Sequence, residues 1–332
     1  MAPAVVGQAP KKPAIRPDAG PLDAGPLDAG PLDAGPLDAK VRADLLQWNE
    51  AARTHVRSTA IVRGVLHVDS KSFEAAVAKT GYVQVRVAVR ETIFGPVQPN
   101  ASFRVFVRQK VFARQKGVAN KAWETSSEDV ASWEGKDRIV FLMMGDGGNY
   151  LASNNKAHST LEPTRKAIVR VRQREMLHRE LLSKPLRQDR KLQKQAMRWV
   201  KRMTGGKDMQ LEAFDGLEEM GAAATVEIIA AMDSRRALPE ASITLQNRAK
   251  DRFEAARHHS PKLAVDAIAA ILNQNTGESF GFIYNEASDA ARASCVRGWT
   301  LYAHYLVSAR DQQGPGKQAT GKQAPGKKAP GK

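Results

Sequence analysis

In GYVQVRVAVRE, valine stands at positions 83, 85, 87 and 89, with Gln84, Arg86, Ala88 and Arg90 between them. Successive side chains of a strand point to opposite faces, so this spacing predicts a strand with one face buried and one wet. The same period of two recurs in TAIVRGVLHV, SFRVFVRQ, RIVFLMM, NYLAS and RKAIVRVRQ. Six short strands separated by turn residues, over about 120 residues, predict a small antiparallel barrel or sandwich. GDGGN, between RIVFLMM and NYLAS, reads as a hairpin turn, since it lacks the lysine and following helix of a phosphate-binding loop.

The period changes on either side of this region. In VRADLLQWNEAARTHV, Leu45, Trp48 and Ala52 fall at helical spacing and predict one short amphipathic helix. From Glu175 onward the chain reads as helical. SKPLRQDRKLQKQAMRWVKRM opens near a proline and aligns Leu192, Ala196, Trp199 and Met203. Phe214, Leu217 and Met220 form the next stripe, Gly221 stops it, and Val226 and Ile229 begin another, which predicts an antiparallel helix pair. Ser260 and Pro261 are expected to cap and open a helix that turns Leu263, Ala267, Ile268 and Leu272 inward. A last helix, from about Glu286 to Ala309, is expected to bury Cys295, Trp299, Tyr302 and Leu306.

Both ends have a different composition. Residues 1–40 carry the AGPLD repeats, and residues 311–332 form a tail of Lys, Gly and Pro. Neither offers enough apolar surface to offset its ordering entropy, so both are predicted to be disordered. The expected organisation is arm (1–40), short helix plus barrel (41–175), helical domain (176–310) and tail. The single cysteine, Cys295, excludes an internal disulfide and any CxxC site. The first twenty residues lack the apolar core of a signal peptide, which predicts a cytoplasmic protein, and no apolar run approaches the length of a membrane span.

The formal charge of the chain is +16. Between Arg165 and Arg202, fourteen Lys or Arg stand against three acids, a net +11. Arg170, Arg172 and Arg174 on a strand, with Lys191, Lys194, Arg198, Lys201 and Arg202 on a helix, are the candidate residues for a stripe that meets phosphates. The basic tail would add to the attraction.

LNQNTGESFGFIYN places Gly277 and Gly281 around three alternate aromatics, Phe280, Phe282 and Tyr284. Gly277 fits the left-handed position that closes a helix. If the backbone is extended, the three rings point one way and, with Trp299, staple the last helix to its predecessor. An aromatic ligand pocket is the alternative.

LEEMGAAATVEIIAAMDSRRALP is similar to the helix, glycine, helix and Asp-rich turn of HEAT repeats in bacterial proteins, and the following FEAARHHSPKLAVDAIAAILNQNTGESFGFIYNEASDAARASCVRGW resembles a terminal segment that accompanies such repeats, so that the two resemblances together cover Leu211 to Trp299. It implies a helical stack that offers a binding surface, with no catalytic residue carried over. Some proteins of this kind are alkylpurine DNA glycosylases, but no residues here match their catalytic set. IVFLMMGDGGNYLASNN resembles the OB-like barrels of bacterial extracytoplasmic proteins. That resemblance implies an exported protein, against the reading of the N-terminus.

His258 and His259 are adjacent, would diverge on a helix and cannot share a metal, so they read as a polar helix end. Asp233 with Arg235 and Arg236 reads as a charged surface turn. No nucleophile–base pair, metal set or nucleotide fingerprint is present, so no catalytic, cofactor or metal residue is assigned. The expected fold is α+β in two domains, an OB-like antiparallel barrel followed by a HEAT-like helical domain. The expected function is non-enzymatic interaction with a protein partner, and the alternative is binding of nucleic acid or another polyanion.

Overall fold

The computed structural model describes residues 37–68, 82–108, 127–145, 148–153, 155–246, 256–285 and 287–313. The expected disordered arm and tail lie outside these residues, apart from their inner ends. Asp38, in the last repeat, accepts a bond from the Val41 amide (2.7 Å) and so caps α1, Ala39–Leu45. Asn49 caps α2, Glu50–Arg57. The single helix expected here is therefore two, broken at Asn49.

Five strands close a barrel: β1, Ala60–Val68; β2, Tyr82–Phe94; β3, Ser102–Arg108; β4, Asp137–Gly145; and β5, Gly148–Leu151. The order is β1-β2-β3-β5-β4, and β4 pairs back onto β1. All pairings are antiparallel except β3 with β5, where Phe106 lies beside Tyr150. The alternating valines of β2 point inward and pack with Val62, Leu66, Val105, Val107, Val140 and Leu142. Each such side chain contributes about 1.5–3 kcal/mol by leaving water. Between β3 and β4, α3, Ser127–Ala131, and the turn after it bring Val130 and Trp133 into the barrel core. A four-residue helix, α4, Lys156–Ser159, then leads into β6, Thr160–Leu161, which adds to β4.

The sixth expected strand is a helix. RKAIVRVRQ belongs to α5, Arg165–Leu182, capped by Thr164. The alternation of Ile168 through Arg172 is short, and the buried positions Ile168, Val171, Glu175, His178 and Leu181 repeat at helical spacing instead. The change of period expected at Glu175 thus falls inside one continuous helix.

Beyond it lie α6, Arg190–Met203; α7, Lys207–Met220; and, after a 3₁₀ turn, α8, Thr225–Ala230. The first of these is capped by Asp189 rather than opened by Pro185. A hairpin of β7, Ile243–Gln246, and β8, Ala256–His259, precedes α9, Ala264–Thr276, and α10, Asp289–Gln313. His258 and His259 therefore sit on a strand, not at a helix end. The start of α9 also differs from expectation. The Asp266 carboxylate accepts from the Lys262 and Leu263 amides (3.2 and 3.1 Å), so capping comes from inside the helix, while Ser260 is exposed.

The helical core gathers residues from both sides of the barrel in sequence: Leu45, Ala52 and Val56 pack with Leu177, Leu217, Ile228, Ile268 and Trp299. Cys295 is buried in it, as expected of a small core residue. Among the described residues, no helix is long and apolar enough to cross a membrane.

Candidate functional site

Three places gather chemistry, and the first is the outer wall of the barrel. The alternation that buries the β2 valines leaves Tyr82, Gln84 and Arg86 facing outward, and that of β3 does the same for Arg104 and Phe106. The register sets Gln84 opposite Phe106 and Arg86 opposite Arg104. Tyr150 on β5 joins the rings, with centroids 5.8 Å from Tyr82 and 5.5 Å from Phe106. Gly148 makes room for them: its φ is 125°, and a Cβ there would lie 2.9 Å from the Phe106 ring. Like charges directly opposite one another destabilise a sheet. Arg63 and Arg90 both reach Asp137 (2.7 and 3.4 Å). Arg86 and Arg104, by contrast, form no ion pair among the described residues. The sequence marked Arg86 as solvent-facing, but pairing across strands was needed to bring it against Arg104.

The second place is the outer face of α6, which carries Arg190, Lys191, Lys194, Arg198, Lys201 and Arg202 and no carboxylate. Lys191, Lys194, Arg198 and Lys201 are exposed, and among the described residues none of the four forms an ion pair. Arg198 and Arg202 lie over the Trp199 ring at 5.4 and 5.7 Å, and Arg202 also pairs with Glu212. The three arginines expected beside this face are not available to it. Arg170 pairs with Asp44, Arg172 pairs with Glu91, and Arg174 is buried on α5. The strand reading had placed all three on a wet face, whereas the helix turns Arg174 inward.

The third place went unnoticed in the sequence. On α5, Glu175 and His178 are three residues apart and share a face, and α2 brings His55 against them. All three are buried, and one ligand atom from each lies within 4.8 Å of the others. His55 Nε2 is 3.3 Å from Glu175 Oε2, and the two imidazoles meet edge to face at 4.8 Å. Arg179 donates to Glu175 Oε1 (3.3 Å) and Arg297 to Oε2 (3.5 Å). His178 Nε2 is 2.9 Å from the Tyr305 hydroxyl, while its Nδ1 has no partner among the described residues. Burial first, then Arg174 and Arg297, hold His55 well below the usual imidazole range; burial, His55 and the same arginines do so for His178. Burial raises the Glu175 carboxyl above its usual range, against the pull of Arg297 and Arg179. His55 and Glu175 are 120 residues apart, so spacing in the sequence carried no signal of their meeting.

The glycine and aromatic loop after α9 has a structural role, with one correction. Gly277 closes α9 in the left-handed conformation (φ 72°), as expected. Phe280 packs edge-on against Trp299 at 4.8 Å and meets Trp48 and Tyr302. Tyr284 is buried apart from them, beside His259 and hydrogen-bonded to Ser279. Phe282 is 75% exposed and takes no part in the staple; Gly281 before it has a φ of 129°, outside the extended range that would have aligned the rings. Glu278 contributes more: it accepts from Trp48 (3.2 Å) and from Arg53 (2.8 Å), tying α2 to the loop. Asp233 and Arg235 form the expected exposed pair at 2.6 Å.

No family model, curated protein or solved structure matches this chain.

Proposed function

We propose that this is a non-catalytic protein that binds single-stranded nucleic acid on the outer wall of β2, β3 and β5. The observation that carries the reading is the cross-strand pair Arg86 and Arg104, which forms no ion pair among the described residues and stands beside Tyr82, Phe106 and Tyr150. A phosphate between the two guanidiniums would turn a repulsive contact into an attractive one, and bases stack on aromatic rings whatever their sequence. The strand order, with β3 parallel to β5 and a helix between β3 and β4, is that expected of an OB-like barrel. In such barrels, the face of strands two and three takes oligonucleotides or oligosaccharides. The exposed cations of α6 give this function a second, sequence-independent attraction.

The test is fluorescence anisotropy of a labelled oligothymidine of about 16 nucleotides against a salt series. Tyr150→Ala should weaken binding about 5- to 150-fold, the loss of one stacked base. Arg86→Gln and Arg104→Gln should each lower the slope of log affinity against log salt by about 0.7. Absence of binding at low salt, or binding lost only on substitution of Lys194, Arg198 and Lys201, would remove the barrel wall from the account.

A second reading, a protein partner on a HEAT-like helical surface, is favoured by Met197 on α6 and by Met209 and Leu211 on α7, all exposed. A partner retained at high salt and released by Leu211→Asp would put this reading first.

A further inference from the structure

We infer that His55, Glu175 and His178 form a binding site for a divalent transition metal of the zinc type, which clamps α2 to α5. Two imidazoles and a carboxylate are a donor set that zinc and its neighbours accept. The spacing Glu175-x-x-His178 puts two donors on one side of α5, and His55 supplies the third from α2. Ligand atoms around a tetrahedral zinc stand about 3.3 Å apart. His55 Nε2 and Glu175 Oε2 already do, at 3.3 Å, and a ligand atom of His178 lies within 4.8 Å of both.

A second observation points the same way. His178 is fully buried, and its Nδ1 has no hydrogen-bond partner among the described residues. Its Nε2 lies 2.9 Å from the Tyr305 hydroxyl, which also accepts from Arg174; in the tautomer that carries its hydrogen on Nε2, the Nδ1 lone pair is left for a metal. The contacts to Glu175, at 3.3 to 3.5 Å, are longer than the 2.7–2.9 Å usual for charge-assisted bonds, so the carboxylate is under-satisfied for its depth. By comparison, the buried pair Arg292 and Asp266 closes at 2.7 Å.

Arg297 is the competitor for this site. It approaches the same oxygen that faces His55, and the metal displaces it toward the Phe94 ring, over which its guanidinium already lies at 4.4 Å. His55, Glu175 and His178 are all buried, and as three donors they leave the fourth position of a tetrahedral metal to a water.

The experiment is elemental analysis of the full 332-residue chain, purified without a histidine tag, followed by cobalt titration of the chelator-treated protein and observation of the visible spectrum. A stoichiometric divalent metal and an intense tetrahedral cobalt band are expected, both lost in His178→Gln and both kept when His258 and His259 are changed to Ala. Circular dichroism establishes that the His178→Gln protein is folded. If it is not, Arg297→Gln decides: with its competitor gone, cobalt should bind about tenfold tighter or more. A wild-type chain that neither retains metal nor develops the cobalt band, or an Arg297→Gln chain that binds cobalt no better, would overturn the proposal.

Discussion

Cys295 shows how much a single position is governed by its depth. Burial pushes its thiol from an ordinary 9.0 up to about 12, so almost no thiolate exists at pH 8 in the folded chain. Ellman's reagent should therefore fail to react with native protein and react fully once urea unfolds it. The sign of the pH dependence follows. The folded state keeps this proton where the unfolded state has lost it, so the stabilisation is complete below about pH 9 and is lost as pH rises toward about 12. Urea midpoints at pH 8 and pH 10.5 check this, and the wild type should lose more than Cys295→Ala. An equal loss in both would mean that the thiol titrates normally. Phe282 makes the opposite point: Phe280 is buried and Phe282 exposed, with Gly281 at a positive φ between them.

At the scale of elements, caps decide where helices begin, and Asp266 holds the most exacting one. It is wholly buried, caps the first turn of α9 and takes both a 2.7 and a 3.0 Å bond from Arg292 on α10. Asp266→Asn takes away the buried partner of Arg292 and leaves it only the exposed Asp289 at 3.4 Å, at a cost of about 3 kcal/mol. Urea unfolding should show that loss, and a change under about 1 kcal/mol would make the pair no stronger than a surface contact. This cap was invisible in the sequence, where Ser260 and Pro261 made the better local signal. β1, β2 and β3 were legible because they alternate long enough to outweigh other patterns, whereas β4 is an apolar run buried from Ile139 to Leu142 and β5 has only four residues. RKAIVRVRQ misled because β-branched residues at 168, 169 and 171 satisfy both periods until Glu175, His178 and Leu181 are included. The candidate sites needed tertiary pairing: strand register for Arg86 with Arg104, and the contact of α2 with α5 for the buried histidines.

Across the whole molecule, the two cores are interlocked by the path of the chain. Leu45, Ala52 and Val56 precede the barrel in sequence yet belong to the helical core. Trp48 and Arg53 reach Glu278, more than two hundred residues further on. Arg172 on α5 pairs with Glu91 of β2, and Arg297 on α10 lies over Phe94 of the same strand. Unfolding the barrel would pull α2 from its place and strip these contacts, and unfolding the helices would expose the strand face that they cover. The two cores should therefore open together, although each has its own apolar interior. Native-state hydrogen exchange measures this directly, because slow amides report the free energy of the opening that exposes them. Peptides from β2 and from α9 should reach the same limiting free energy and the same dependence on added urea. If β2 amides exchange through an opening that leaves α9 protected, the barrel is an independent unit and the contacts of Glu91, Phe94 and Glu278 do not couple it to the helices.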